Sequence, residues 1–378
     1  MSQADITPFD GRIPVSLLTG FLGSGKTTVL NHLVRHPDLK QTLVIINEFG
    51  AIGLDHELIV HSQEDVVVEM SSGCLCCTVR GDLVRTLRDA VWRFSREGKP
   101  WFSRVIIETT GLADPAPVLH TLMTDAAIAR QYRLDGVITT VDAATGRGTL
   151  ARQPESRRQA AVADRLLLTK TDLASTAEVA ALMERLRALN PAAPILQAAH
   201  GVVEPQRLLD AGLYDPRSKS LDVQRWLNAE AYRPDGGAHG TGHEHHHHDE
   251  GGEGHDDGQG GHDHRQGHDI NRHDESIRAS CLVLDRPIAG VEFDAWLQAL
   301  LHLKGRDILR VKGIVNLRGV AGPVVIHGVQ HIFHPPVVLK QWPSADRRSR
   351  IVFIARDLDE AALRETLEVF MEPASAYG

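Results

Sequence analysis

The sequence predicts an α/β protein: a doubly wound, mostly parallel sheet, followed by a smaller C-terminal α+β domain. Three observations predict it. A glycine-rich loop, Gly20-Phe-Leu-Gly-Ser-Gly-Lys-Thr-Thr28, joins the apolar run Val15–Thr19 to a segment with Val29, Leu30, Leu33 and Val34 at helical spacing. Short apolar runs with polar tips then alternate with helical patterns over about 200 residues, as crossover units of a parallel sheet do. Between Asp235 and Ser276 the composition changes to glycine, histidine and acids, and a second pattern of strands and helices begins beyond it.

Taken in order, residues 1–13 are expected to be a loose N-terminal arm and 14–234 the first domain. After the glycine loop and its helix, 41–47 reads as a buried strand ending in Asn47-Glu48-Phe49-Gly50. Val66–Glu69 is a third strand. It runs into Ser72-Gly-Cys74-Leu-Cys76-Cys77 and then a helix carrying Leu83, Val84, Leu87 and Val91. Val105–Glu108, Gly136–Val141, Arg165–Leu168 and Ile195–Leu196 read as further strands. In residues 235–276, Ile270 is the only large apolar side chain. Such a stretch cannot bury enough surface to offset its ordering entropy, so it is expected to be a disordered linker. Residues 277–378 form the second domain. Its expected strands are 277–284, 308–317, 324–329, 332–339 and 351–355, with helices over 291–303 and 363–370.

At 378 residues the chain has length for two or three real cores. The formal charge is −8, but 235–275 holds eleven Asp or Glu against two Arg, which leaves the rest close to neutral. Neither nucleic-acid nor membrane attraction is implied. The polar N-terminus carries no secretory pattern, and no apolar run approaches bilayer length. Four cysteines make no disulfide framework. A reducing, cytoplasmic setting with metal or redox chemistry is expected.

The strand–glycine loop–helix context is that of a phosphate-binding P-loop. Gly20, Phe21, Leu22, Gly23, Ser24, Gly25 and Thr28 would wrap the phosphates with backbone N–H groups at a helix N-terminus. Lys26 would reach the β- and γ-phosphates, and Thr27 would place its hydroxyl on Mg²⁺. Glu108, at a strand tip, stands where such enzymes hold Mg²⁺ or orient water, usually with Asp. Gly111 is set to sense a γ-phosphate through its N–H. Thr169-Lys170-Thr171-Asp172 points to guanine, since a carboxylate accepts from both guanine N1–H and the exocyclic amine. Lys170 would lie along the base, and Thr169 stands where Asn is usual. GTP is favoured over ATP.

Cys74, Cys76 and Cys77 put three thiols within four residues, a soft donor set that selects Zn²⁺ or Cu⁺ over Mg²⁺ or Ca²⁺. A fourth ligand would come from Glu48, a histidine, water or a partner, and such an open position suits a site that gives its metal away. Buried cysteines or a redox pair are the bland alternative. Eleven of the 21 histidines lie between His239 and His273, among them His245, His246, His247 and His248. They offer weak metal capture that fades below about pH 6, or merely a hydrophilic spacer. Cys281 reads as core. Arg306, Lys312, His327, His331 and His334 read as ordinary surface or core groups.

Together, the P-loop, Asn47–Gly50, Gly73–Cys77, Glu108–Gly111, Thr169–Asp172 and the C-terminal Gly305–Gly313 and Gly328–His331 turns resemble the CobW-like metal-chaperone GTPases over nearly the whole chain. The resemblance implies slow GTP hydrolysis coupled to handing a metal, often zinc, to a client metalloprotein. It also implies that Cys74, Cys76 and Cys77 are the transfer ligands, and that Cys77, Thr78, Val79, Arg80 and Gly81 lie by the nucleotide. Alternatives are a GTPase inserting cobalt or nickel, and a metal store with a non-catalytic nucleotide site. An ATP-dependent kinase has no visible acceptor site. Client, physiological metal and oligomeric state are not readable from the residues.

Overall fold

The first apolar run forms strand β1 (Ile13–Gly20), whose last six residues are buried. A strand so apolar needs cover on both faces, and the chain supplies it by winding helices to both sides. The computed structural model describes residues 11–48, 66–71, 77–209 and 277–371. The expected linker and the outer part of the N-terminal arm lie outside the described residues; β1 already begins at Ile13.

Beyond β1 come α1 (Lys26–Val34), β2 (Thr42–Glu48), β3 (Val66–Ser71) and α2 (Cys77–Arg93). A two-residue-stranded hairpin, β4 (Ser95–Arg96) and β5 (Lys99–Pro100), leads to β6 (Arg104–Thr109). Then follow α3 (Ala116–Thr124), α4 (Ala126–Gln131), β7 (Tyr132–Asp142), α5 (Gly146–Arg152), α6 (Pro154–Val162) and β8 (Arg165–Thr169). The domain continues through α7 (Thr176–Leu189), β9 (Ile195–Gln197) and α8 (Pro205–Leu208). The sheet order is β3-β2-β6-β1-β7-β8-β9, and every neighbouring pair is parallel. Period-two alternation splits the core. Leu18, Val44, Ile46 and Ile106 pack under α1, while Leu17, Leu43, Ile45 and Ile107 pack on the opposite face with Leu83 and Leu87 of α2 and Leu119 of α3. Because β1 lies between β6 and β7, the crevice past its carboxyl end is a topological switch point, where open α/β sheets bind ligands.

The second domain comprises β10 (Ile277–Leu284), α9 (Gly290–Lys304), β11 (Ile308–Val315), β12 (Val324–Val329), β13 (Ile332–Phe333), β14 (Val337–Val338), β15 (Ser349–Arg356) and α10 (Glu360–Met371). Its six-stranded antiparallel sheet runs β10-β15-β11-β12-β13, with β14 also against β12. The single strand expected over 332–339 is two short ones, because Pro335 and Pro336 cannot donate to a ladder.

One face of this sheet buries Val311, Ile351 and Phe353 under Trp296 of α9 and Leu363 and Leu367 of α10. The other face is largely covered as well. Leu309, Val329, Ile332 and Ile354 join the apolar cluster that contains α3, α6 and α7 side chains of the first domain. A buried ionic clamp sits in this joint. Asp164, just before β8, accepts from the Val137 amide at 2.9 Å, from Arg310 at 2.6 Å and from Lys312 at 2.6 Å. Burial would raise its carboxyl, but the Arg310 and Lys312 charges hold it far below the usual range. Burial in turn lowers Lys312 to about 8. Nearby His327 is held well below its ordinary value and His334 is lowered to about 4, in both cases first by burial.

Candidate functional site

The phosphate loop is shaped by backbone that only glycine tolerates. Gly20 has φ +145°, and a Cβ there would lie 2.5 Å from the Thr140 carbonyl and 2.7 Å from Ser24 Oγ. The loop therefore lies directly against the end of β7, and Ser24 Oγ and Thr140 Oγ1 are 2.7 Å apart. Gly23 and Gly25 are left-handed, and Gly25 caps α1. Lys26 is buried, and its ammonium donates to the carbonyls of Gly20 (3.0 Å) and Phe21 (3.3 Å). A cation at a helix N-terminus inside a curled loop is a ready anion site.

Parallel pairing puts Glu108, near the end of β6, opposite Leu18 of β1. Glu108 is buried, and Thr27 Oγ1 donates to its Oε1 at 3.0 Å. A hydroxyl and a carboxylate so joined form a hard oxygen donor set, which fits Mg²⁺. Thr109 Oγ1 donates to Thr19 Oγ1 at 2.8 Å, so β6 and β1 are cross-tied just below the loop. Gly111 then turns back onto the phosphate loop, where a Cβ would meet the Leu22 backbone at 2.7 Å.

On the other side of the crevice, Thr169 Oγ1 donates to the Ser24 carbonyl at 2.7 Å. The position that usually holds Asn thus ties β8 to the phosphate loop with a hydroxyl. Lys170 is left-handed (φ 54°) and donates to Asp142 at 2.8 Å. Asp142 also accepts from the Ala144 and Thr145 amides. Burial opposes its charge, yet the Lys170 bond and those amides lower its carboxyl overall. Thr171 and Asp172 begin a short turn beyond Lys170, and Asp172 is partly exposed with His200 Nδ1 3.9 Å away. His200 and Gly201 belong to a turn after β9 that motif reading passed over. A Cβ on Gly201 would lie 3.0 Å from the Thr28 carbonyl, so this turn abuts the phosphate-loop helix. A glycine just past a strand tip was its sequence signal.

Strands β2 and β3 pair so that Glu48 lies opposite Ser71. Cys77, Thr78, Val79 and Arg80 form the first turn of α2, followed by Gly81. Cys74, Cys76 and His245–His248 lie outside the described residues. Among the described residues no three His, Cys, Asp or Glu side chains gather as a metal site. Cys281 is buried core, its thiol pushed up to about 12 by burial. No described helix is long and apolar enough to cross a membrane.

A parallel sheet with a phosphate loop at its switch point, and a loop threonine bonded to the acid of the neighbouring strand, defines the class: a P-loop nucleoside triphosphatase. Residues 14–197 match the family described as CobW/HypB/UreG, nucleotide-binding domain, and 277–371 match the cobalamin synthesis protein cobW C-terminal domain. The chain belongs to the CobW family and is a GTPase that uses GTP and Mg²⁺. It is 30% identical to the zinc chaperone YjiA of Escherichia coli over 353 residues, covering 93% of this chain and 96% of that one. It is 31% identical to the zinc chaperone CobW of Pseudomonas aeruginosa over 388 residues, covering 94% and 91%. The crystal structure of Zn(II)-bound YjiA GTPase from E. coli is similar at a TM-score of 0.66 and 26% identity, over 96% of this chain and 99% of that one.

Proposed function

We propose that this GTPase is a metallochaperone that binds zinc at Cys74, Cys76 and Cys77, with Glu48 as a candidate fourth ligand, and passes it to a client metalloprotein under nucleotide control. One observation carries the reading. Glu48 ends β2 and pairs with Ser71, three residues before Cys74, at the same carboxyl end of the sheet from which the phosphate loop emerges. Nucleotide and metal would therefore be held by loops of one sheet edge, with β6 and its Glu108 between β2 and β1. Names of the relatives quoted above support zinc as the cargo.

In this reading Lys26 leaves the Gly20 and Phe21 carbonyls to bind β- and γ-phosphate oxygens, and Gly111 offers its N–H to the γ-phosphate. Thr27 and Glu108 hold Mg²⁺, which when bound neutralises charge on those oxygens. Asp172 accepts the guanine donors. Hydrolysis is slow and responds to metal, because the γ-phosphate orders the loops that also set the thiol geometry. Linkage then requires nucleotide and zinc to change each other's affinity by equal factors.

Zinc competition titrations of the protein with a non-hydrolysable GTP analogue, with GDP and without nucleotide test this. Zinc affinity should differ at least about fivefold between the analogue and GDP states, the low end of ordinary coupling. Cys76→Ala should abolish that difference and leave GDP bound. Equal zinc affinity in all three states would leave a GTPase that merely stores metal, and tighter nucleotide-dependent capture of cobalt or nickel would reassign the cargo.

A further inference from the structure

The stretch from Glu108 to Asp114 is already docked on the phosphate loop through the close contact of Gly111 with Leu22. What holds it from behind is a side chain that no nucleotide motif contains. Gln159 on α6 is fully buried, and its amide nitrogen donates to the Gly111 carbonyl at 3.1 Å and the Ala113 carbonyl at 3.0 Å. Two carbonyl acceptors can be met only by an NH₂ group, so the amide orientation follows from the contacts. The Gln159 carbonyl accepts from Thr139 Oγ1 at 2.8 Å, which ties this turn of α6 to β7. Its amide oxygen is buried with no hydrogen-bond partner among the described residues. A fold that bears the desolvation of that oxygen retains the residue for its two donors.

We propose that Gln159 is a positioning residue for GTP hydrolysis. By holding the Gly111 and Ala113 carbonyls on the far side of the loop, it keeps the Gly111 N–H turned toward the γ-phosphate. The inference rests on the reading of Gly111 as a γ-phosphate contact. Gln159 bonds to the backbone of the loop, and its effect is exerted through Gly111. GDP lacks the γ-phosphate and makes no demand on this loop, so GDP affinity should not depend on Gln159 and the loss should appear in kcat.

The test uses the full chain, without zinc, and two variants: Gln159→Leu, which lacks both donors, and Gln159→Glu, which keeps the shape. Gln159→Leu should lower kcat at least tenfold while KM for GTP and the affinity for GDP stay within threefold. Gln159→Glu should be as slow at pH 8. It should recover relative to wild type as pH falls toward 6, since a protonated carboxyl facing two carbonyls regains one donor. Wild-type kcat in Gln159→Leu would overturn the proposal. So would a loss of GDP affinity in step with kcat, or a Gln159→Glu profile indistinguishable from that of Gln159→Leu. Gly111→Ala tests the underlying reading separately. Full hydrolysis in that variant removes the γ-phosphate role from Gly111, whereas a slow Gly111→Ala beside a fast Gln159→Leu removes only the positioning role. Zinc competition results bear on neither.

Discussion

Thr169 shows how a small polar side chain carries a large share of site geometry. Its hydroxyl reaches the Ser24 carbonyl at 2.7 Å, and its Cβ lies 3.4 Å from where a Gly25 side chain would begin. The bond fixes the strand that leads to Asp172 against the loop that leads to Lys26. Thr169→Val, close in shape but unable to donate, should weaken both GTP and GDP binding by about tenfold, the worth of one buried hydrogen bond. Equilibrium titration with a fluorescent nucleotide would check it, and unchanged affinity would show that the β8–loop tie is dispensable. This residue was legible in the sequence as a departure from Asn, though not as the tie itself. Gln159 was not legible. It lies in Pro-Glu-Ser-Arg-Arg-Gln-Ala-Ala-Val, where Ser156, Arg157 and Gln159 are buried alongside the alanines, so no apolar period advertises the helix or its inner face.

At the scale of elements, the parallel strands were legible because each is an apolar run with a polar tip. The turn after β9 was less so, since its role depends on α1, far off in sequence. Strands β11 and β12 raise a different point. The sequence reading treated His327, His334 and Lys312 as ordinary groups. Lys312 and His327 are core groups, buried beside Asp164, which lies 146 positions before Arg310, and His334 is half-buried next to them. His327 faces Lys312, Arg310, Asp164 and His334; His334 faces Arg310, Arg12 and Asp164. Both histidines have folded pKa values below the unfolded one, so below about pH 6.5 the unfolded chain binds more protons and stability must fall. The share due to His334 should run from about pH 6.5 down to about 4, the value to which it is lowered. For His334 alone its size should be on the order of 3 kcal/mol. Asp164, held far below the usual carboxylate range, adds its own loss only below about pH 4. Denaturant unfolding as a function of pH would measure this, and His334→Leu should flatten the upper window. An unchanged slope would assign acid lability to carboxylates elsewhere.

For the whole molecule, the two domains were legible as units but their joint was not, because nothing local marks one face of an antiparallel sheet as covered by another domain. The cover is extensive. Helix α3, which follows the Gly111 loop, meets the second domain where His120 and His331 stack edge to face at 5.6 Å. Helix α6, which carries Gln159, leads directly into the Asp164 clamp on β11. The helix that follows the Gly111 loop and the helix that braces it are thus, with α7, among those on which the second domain rests, and any shift of the Gly111 loop has a packed route to that domain. A route of this kind becomes coupling only if it has two arrangements, and the zinc titrations in the analogue and GDP states measure whether it does.

The merged interior has a practical consequence. With Leu309, Val329, Ile332 and Ile354 sealed into the same oil as Leu119 and Leu122, covalent continuity between Leu209 and Ile277 is not what keeps the halves together. A protein cut by protease anywhere in that interval should travel through a gel-filtration column as one particle and come apart only in denaturant. Either half expressed by itself should be sticky, since it would bare to water a sheet or helix face built for contact.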